Sequence, residues 1–174
     1  FEELVSIYAR SFSLPQSLIA GIEGYILDAE DREAWTVRYF DFCSIRYGTR
    51  TLGGTRALEA GCGSGGAIPH LVSRFEHVAG VDPDLPSLLL CARRCADRGI
   101  AARVSLAAAM LEQHVLSDGA FDAIKCTDVI EHVHDAAIAC RRMAKSMAPN
   151  GTLFVLTPNR WAFTTPEPHV RLWG

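Results

Sequence analysis

The sequence lacks the features that would assign a membrane or nucleic-acid function at once. No apolar run approaches the roughly 18 residues that a membrane-spanning helix needs, and no secretory leader is evident, so we expect no membrane span and a cytoplasmic location. Basic charge is not in excess, because 17 Lys and Arg stand against 20 Asp and Glu, and the formal net charge is −3. We therefore expect no nucleic-acid partner.

The sequence also lacks the cysteine spacing of a disulfide framework or a zinc ribbon. Its six cysteines include no CxxC pair, and several lie within apolar runs. They are interpreted as small buried thiols. With 174 residues, of which 49% are hydrophobic, the chain is long enough to bury one sizeable core without metals or disulfides.

Two regions of the chain differ in their hydrophobic periodicity. Apolar residues recur at helical spacing through roughly the first 50 residues. The stretch Gly48–Thr55, which holds three glycines, is the best candidate boundary. We therefore predict an N-terminal helical segment over residues 1–52, acting as a lid or cap, and a second domain over residues 53–174.

Short apolar strands and amphipathic helices alternate after this boundary. The predicted strands are Arg56–Ala60, His77–Val81, Val104–Ala108, Phe121–Cys126 and Thr152–Leu156. The predicted helices are 64–74, Leu85–Arg98 and His134–Met147. The second helix is expected to turn one face inward, with Leu85, Leu88, Leu89, Ala92 and Cys95. This alternation predicts an α/β fold with a doubly wound, mainly parallel sheet and helices on both faces.

The most informative stretch is the glycine-rich turn after the first predicted strand. Gly61, Gly63 and Gly66 satisfy a GxGxxG pattern, whereas Gly61, Gly63 and Gly65 satisfy GxGxG. Glycines permit a tight turn and let a ligand approach the backbone, and the helix start expected there would suit an anionic group. Asp82 ends the second strand, where its carboxylate could accept two ribose hydroxyl bonds or cap the following helix. The loop predicts a nucleoside-type cofactor and leaves its identity open.

Two later segments help to discriminate between the cofactors. Residues 121–133 read FDAIKCTDVIEHV, and residues 147–159 read MAPNGTLFVLTPN. With the loop and Asp82, they resemble class I (Rossmann-like) S-adenosylmethionine-dependent methyltransferases, in the subgroup with Glu-His-Val after strand four that includes quinone-biosynthesis and related small-molecule enzymes. The resemblance runs from about Leu58 to Asn159. An NAD(P)-binding oxidoreductase domain is the weaker alternative, because Glu59 stands where dinucleotide sites usually carry an apolar residue.

The resemblance implies a set of cofactor contacts at the ends of four strands. These are Glu59, Gly61, Cys62, Gly63, Gly65, Asp82, Pro83, Met110, Leu111, Cys126 and Thr127. The glycines would line the methionine part, Asp82 would hold the ribose, and the carbonyls of Cys126 and Thr127 would meet the ammonium. Many family members carry an acid at the position of Met110. Adenine recognition is therefore left to packing, to backbone groups or to Glu112, and Met110 and Leu111 are equally consistent with simple core.

His132 is the candidate catalytic residue. The methyl group of the cofactor is already activated on a sulfonium, so a base is needed only when the acceptor must lose a proton, as a hydroxyl does. Histidine titrates near neutral pH, and this one follows the fourth strand, at the rim where the methyl is expected. It is equally open that Glu131 and His132 cap and orient the loop.

A divalent metal is a further hypothesis for the same segment. Asp128, Glu131 and His132 form a DxxEH pattern that resembles the ExxEH of relatives that bind such an ion, and His134 or His169 could add a ligand. Because Asp shortens the reach and no fourth ligand is evident, we assign no metal.

The resemblance implies transfer of a methyl group from S-adenosylmethionine to a small-molecule acceptor, at oxygen, with nitrogen or carbon as the alternatives and S-adenosylhomocysteine as the product. A non-catalytic S-adenosylmethionine-binding module is the second alternative. The family's sheet has seven strands, and residues 157–174 show no pattern for the last two, so we expect a core truncated at its C-terminus. The sequence carries no signal for the oligomeric state.

Overall fold

A computed structural model describes residues 53–113 and 116–157, so the predicted helical segment 1–52 and the tail after residue 157 lie outside the described part. The described elements, in chain order, are β1 (Gly54–Ala60), α1 (Ile68–Val72), β2 (Phe75–Asp82), α2 (Leu85–Asp97), β3 (Val104–Ala108), β4 (Phe121–Thr127), α3 (Ala136–Ser146) and β5 (Met147–Leu156). A short 3₁₀ helix, Ala101–Arg103, precedes β3.

The five strands form one parallel sheet in the order β3-β2-β1-β4-β5. The doubly wound parallel sheet predicted from the sequence is therefore confirmed. The chain first adds strands on one side of β1 and then crosses to the other side to form β4. The boundary between β1 and β4 is thus a topological switch point, and in open α/β sheets ligands bind outside the carboxyl ends of the strands at that point.

A hydrophobic cluster covers each face of the sheet. On one face, Ile68 and Leu71 of α1 and Leu88 and Cys91 of α2 pack with strand residues such as Val78. On the other face, Ala139 and Met143 of α3 pack with Leu58, Ile124 and Cys126. Alternate residues of β1 and β4 therefore belong to opposite clusters, because successive side chains of a strand point to opposite faces.

The first helix differs from the prediction over 64–74. It begins at Ile68 and ends at Val72, because the residues before it form turns and Gly65 has a φ of +85° that no right-handed helix accommodates. The predicted start at residue 64, within the glycine-rich turn, is therefore wrong. The glycine-rich loop is therefore followed by turns and not directly by the first turn of a helix.

The second helix lies close to its predicted bounds, but the predicted inward face is wrong. Its buried residues are Ser87, Leu88, Leu90, Cys91 and Cys95. Leu85 and Leu89 are exposed by 55% and 48%, and Ala92 is also exposed. Apolar residues surround the first two turns of this helix, so spacing alone does not select the side that faces the sheet.

The third helix and the last strand run directly into one another. Asp135 caps α3 by accepting a 2.9 Å hydrogen bond from the Ile138 N–H, so the helix starts two residues later than predicted. β5 starts at Met147, five residues before the predicted Thr152, and includes Asn150 at a φ of +65°. Among the described residues, no helix has the length and apolar character needed to cross a membrane.

Candidate cofactor-binding site

The loop after β1 is fastened to the end of β2 by backbone hydrogen bonds. The N–H groups of Gly61 and Cys62 both donate to the Val81 carbonyl, at 2.8 and 3.1 Å, and the Gly65 N–H donates to the Cys62 carbonyl at 2.9 Å. Gly61, Gly63 and Gly65 have φ angles of +73°, +49° and +85°, a region that side chains with a Cβ rarely occupy. The sequence therefore needs glycine at all three positions to form this turn.

The three glycines differ in what surrounds them. A Cβ on Gly61 would lie 2.1 Å from Val129 Cγ2, and one on Gly65 would lie 2.5 Å from Cys91 Sγ. A Cβ on Gly63 would have no atom of the described residues within 4 Å. The outer two glycines are therefore packed against the protein, whereas Gly63 borders open space at the carboxyl ends of the strands.

Asp82 supports this loop from the end of β2. Its Oδ2 accepts the Gly63 N–H at 2.8 Å and its Oδ1 accepts the Asp84 N–H at 2.9 Å. The cap of α2 is Asp84, which accepts the Ser87 N–H at 3.0 Å, so the cap role considered for Asp82 is wrong. A carboxylate offers about four acceptor positions, which leaves Asp82 with capacity for further donors such as ribose hydroxyls. Pro83 follows at an exposed position.

Glu59 forms a buried ion pair that the sequence interpretation missed. Its Oε1 lies 2.8 Å from Lys125 Nζ, and the two side chains are only 5% and 7% exposed. The residues are register partners in the adjacent strands β1 and β4. A signal was present, since a lysine between Ile124 and Cys126 in an apolar strand requires a buried partner of opposite charge.

The segment after β3 is drawn to the same edge of the sheet. The Ala109 N–H donates to the Asp82 carbonyl at 3.1 Å. Leu111 is buried and packs in the core, whereas Met110 is 44% exposed. Oε1 of Glu112 accepts the His134 N–H at 3.0 Å, so this carboxylate links the segment after β3 to the segment before α3.

Cys126 and Thr127, whose carbonyls the family resemblance assigns to the cofactor's ammonium, lie at the end of β4. Cys126 is fully buried, and Thr127 is 7% exposed. Within the described residues the Thr127 Oγ1 is buried with no hydrogen-bond partner. Burial raises the pKa of the Cys126 thiol to about 12, with the Glu59 carboxylate adding to the rise. This side chain is therefore protonated at neutral pH and does not act as a nucleophile.

The DxxEH segment does not assemble a group of ligands. Glu131 is fully buried and its Oε2 accepts a 3.1 Å hydrogen bond from Thr157 Oγ1, whereas His132 is exposed. Asp128 has a φ of +54° and precedes both. No group of three His, Cys, Asp or Glu side chains in the described ranges is arranged to hold a metal ion, and His169 lies outside those ranges. The metal hypothesis gains no support from this part of the chain.

The chain matches known proteins over the region just described. The family model that matches residues 58–155 is described as a methyltransferase domain. A ubiquinone biosynthesis O-methyltransferase of Marinobacter nauticus is 31% identical over 113 residues, which cover 63% of this chain and 47% of that protein. The chain spans about half the length of the ubiquinone biosynthesis relatives it matches.

Solved structures share this fold. A putative S-adenosyl-L-methionine-dependent methyltransferase from Methanococcus maripaludis has a TM-score of 0.66 and 13% identity, and the match covers 80% of this chain and 62% of that one. The [4+2]-cyclase SpnF has a TM-score of 0.60 and 25% identity, with 68% and 43% covered. The similarity to the first of these concerns the fold alone.

Proposed function

Since the chain belongs to the class I S-adenosylmethionine-dependent methyltransferase family, we propose that it binds S-adenosylmethionine and transfers the methyl group to an oxygen atom of a small-molecule acceptor. The matched region, residues 58–155, includes every residue expected to contact the cofactor. The choice of oxygen is supported by relatives at 31% and 33% identity that are named ubiquinone biosynthesis O-methyltransferases.

The observation that carries this proposal is the arrangement of Gly63 and Asp82. The glycine has a positive φ, borders open space and donates its N–H to the Asp82 carboxylate. A nucleoside with an amino-acid tail needs backbone that it can approach closely and a carboxylate beside it for the ribose hydroxyls. Both are present at the carboxyl end of β1 and β2, next to the switch point of the sheet.

The residues of this chain act by binding, orienting and excluding water. When bound, S-adenosylmethionine supplies a methyl group that is already activated on a sulfonium. Gly61, Gly63 and Gly65, whose N–H groups already donate within the protein, would line the methionine part, and Asp82 would accept the ribose hydroxyl bonds. The carbonyls of Cys126 and Thr127 would accept from the ammonium. Held in this way, the reacting groups need little further assistance beyond alignment.

His132 is the proposed proton acceptor for a hydroxyl substrate. It lies in the loop after β4, where its backbone N–H donates to the Val129 carbonyl at 2.9 Å, and its side chain is exposed. An imidazole nitrogen there would take the proton that the acceptor oxygen loses as the new bond to carbon forms. Residues 1–52 are proposed as the lid that covers this edge.

One comparison favours a second candidate function. The [4+2]-cyclase SpnF shares the fold at 25% identity, and its name does not describe methyl transfer. A chain with this site could therefore bind S-adenosylmethionine without using the methyl group. The two candidates predict the same cofactor binding and differ in turnover.

Calorimetric titration with S-adenosylhomocysteine, with NAD as the control, tests the cofactor first. We expect micromolar binding of the nucleoside and none of NAD. Transfer of a radiolabelled methyl group to a panel of phenols and catechols, compared with a panel of amines, then tests the acceptor atom. Binding without transfer to any member would favour the second candidate. NAD binding, or no binding by a folded sample, would refute the proposed cofactor.

A further inference from the structure

We infer that Lys125 sets how strongly the cofactor site prefers a positively charged ligand over an uncharged one, by neutralising Glu59 beneath the glycine-rich loop. The inference rests on the proposed function, because the ligands that it compares are S-adenosylmethionine, with a positive sulfonium, and S-adenosylhomocysteine, with a neutral thioether. Lys125 acts through Glu59 and is therefore a positioning residue.

The ion pair spans the switch point of the sheet. Glu59 and Lys125 face one another across β1 and β4, with Nζ 2.8 Å from Oε1. Glu59 stands two residues before Gly61 and four before Gly63, which borders the open space. The pair therefore lies at the switch point of the described sheet, where a ligand is expected to bind.

Burial makes both charges effective at this place. With side chains 5% and 7% exposed, neither charge is screened by water to the extent that a surface charge is. The pKa of Cys126, the next residue in β4, is affected by both charges. Its pKa is raised mainly by burial and further by Glu59, while Lys125 opposes the rise. The fields of the two residues thus reach the carboxyl end of β4 with opposite signs.

The two fields therefore partly cancel at a bound cation. Glu59 attracts a sulfonium and Lys125 repels it, so the intact pair gives only a small preference for the charged cofactor over its product. Replacement of either Glu59 or Lys125 by an uncharged residue would leave the charge of the other unbalanced at the ligand. A pair that serves only to fill space would not change the relative affinity for the two ligands. Apolar side chains of similar volume commonly replace buried ion pairs without loss of stability, so packing alone does not require these charges.

The experiment measures the dissociation constants of both ligands by calorimetry for four proteins, which are the wild type, Lys125→Met, Glu59→Gln and the double variant. The quantity compared is the ratio of the S-adenosylhomocysteine constant to the S-adenosylmethionine constant. We expect Lys125→Met to raise this ratio about three- to tenfold and Glu59→Gln to lower it by a similar factor. The double variant should return close to the wild-type ratio, and Lys125→Arg, which keeps the charge, should match the wild type.

Each outcome decides a separate point. A ratio that stays constant across the variants, while the wild type binds both ligands, overturns the role of Lys125 and leaves the proposed function intact. A wild type that binds neither ligand refutes the proposed function itself. Partial unfolding lowers the fraction of competent sites for both ligands equally and does not move the ratio. If Lys125→Met does not fold, Glu59→Gln and the double variant still carry the test of sign.

Discussion

The backbone N–H of Gly63 and the Oδ2 of Asp82 are joined by a hydrogen bond of 2.8 Å, which links the loop after β1 to the end of β2. The same carboxylate accepts the Asp84 N–H at 2.9 Å, just before α2 begins. Asp82 therefore fixes the shape of the loop and, in the proposed function, also meets the ribose. Its removal should affect binding through both roles.

Replacement of Asp82 by Ala should weaken S-adenosylhomocysteine binding by about ten- to a hundredfold, because one or two charge-assisted hydrogen bonds are lost. Asp82→Asn keeps one carbonyl oxygen and should fall between the wild type and Asp82→Ala. Calorimetry on samples whose circular dichroism matches the wild type gives both constants. An unchanged constant for a folded Asp82→Ala would contradict the ribose assignment.

Gly63→Ala and Gly99→Ala form a matched pair. Both glycines have a positive φ, at +49° and +67°, and in the part of the chain that the structure describes a Cβ at either would have nothing within 4 Å. Each substitution should therefore cost about 1–2 kcal/mol of unfolding free energy from backbone strain alone. Only Gly63→Ala should also weaken S-adenosylhomocysteine binding, by tenfold or more, since its methyl group enters the proposed cofactor space. Equal binding by the two variants would place the cofactor elsewhere.

Gly61→Ala should be far more destabilising than either of these. The new Cβ would lie 2.1 Å from Val129 Cγ2, so overlap adds to the strain of a φ of +73°. Together these should cost about 2–5 kcal/mol in urea denaturation. Val129→Ala removes the nearest overlapping methyl and should restore part of the loss in the double variant. If the double variant loses the sum of the two single effects, the overlap is not the cause.

Stability should fall as pH rises above about 9. The pKa of Cys126 is raised to about 12 by burial, and that of Cys91 to about 12 by its hydrogen bond with Cys62 and by burial. The unfolded thiols lose their protons near their ordinary pKa, so the folded state binds more protons between pH 9 and pH 12. Each thiol then removes about 1.4 kcal/mol of unfolding free energy per pH unit in that range.

The check is urea denaturation at pH 8 and pH 10 for the wild type and Cys126→Ala. The variant leaves a small cavity, which lowers its stability at both pH values. Its loss between the two should nevertheless be smaller than that of the wild type by about one thiol's share. Equal losses would show that Cys126 does not titrate in this way.

His132→Asn separates the two roles considered for this residue. A proton acceptor should lose about a hundred- to ten-thousandfold in kcat with a hydroxyl acceptor, while the dissociation constant of S-adenosylhomocysteine stays unchanged. Because the side chain is exposed, the unfolding free energy should change by less than about 0.5 kcal/mol. A lower melting temperature with kcat nearly preserved would indicate the loop-orienting role instead.

The strands were predictable because their apolar runs are short and bounded by turn residues. The structure contains β3 at its predicted bounds, Val104–Ala108, and the other four strands are longer than predicted, β1 by two residues, β2 by three, β4 by one and β5 by five. The parallel, doubly wound character of the sheet followed from the alternation of strands and helices, whereas its strand order came from the structure. The family resemblance then located the glycine loop and Asp82, which the structure brings into contact.

The features that could not be predicted from the sequence depend on contacts between residues that are far apart in the chain. The inward side of α2 is decided by which positions meet the sheet, so Cys91 is buried and Leu89 is exposed although both are apolar. The partner of Lys125 became evident only when β1 and β4 were placed side by side in register with Glu59. Helix α1 starts later than predicted because Gly65 has a positive φ, which hydrophobic periodicity does not reveal.

The glycine loop presents main-chain groups to open space at Gly63 and carries no side chain there. Where a ligand packs directly on the backbone, a substitution cannot exchange one functional group for another. It can only add atoms that obstruct the approach or bend the backbone away. Substitutions at such a position are expected to weaken ligand binding and not to change which ligand is preferred. A change of ligand preference in this chain is therefore expected to come from substitutions of the side chains around the loop, while substitutions of the loop glycines weaken or abolish binding.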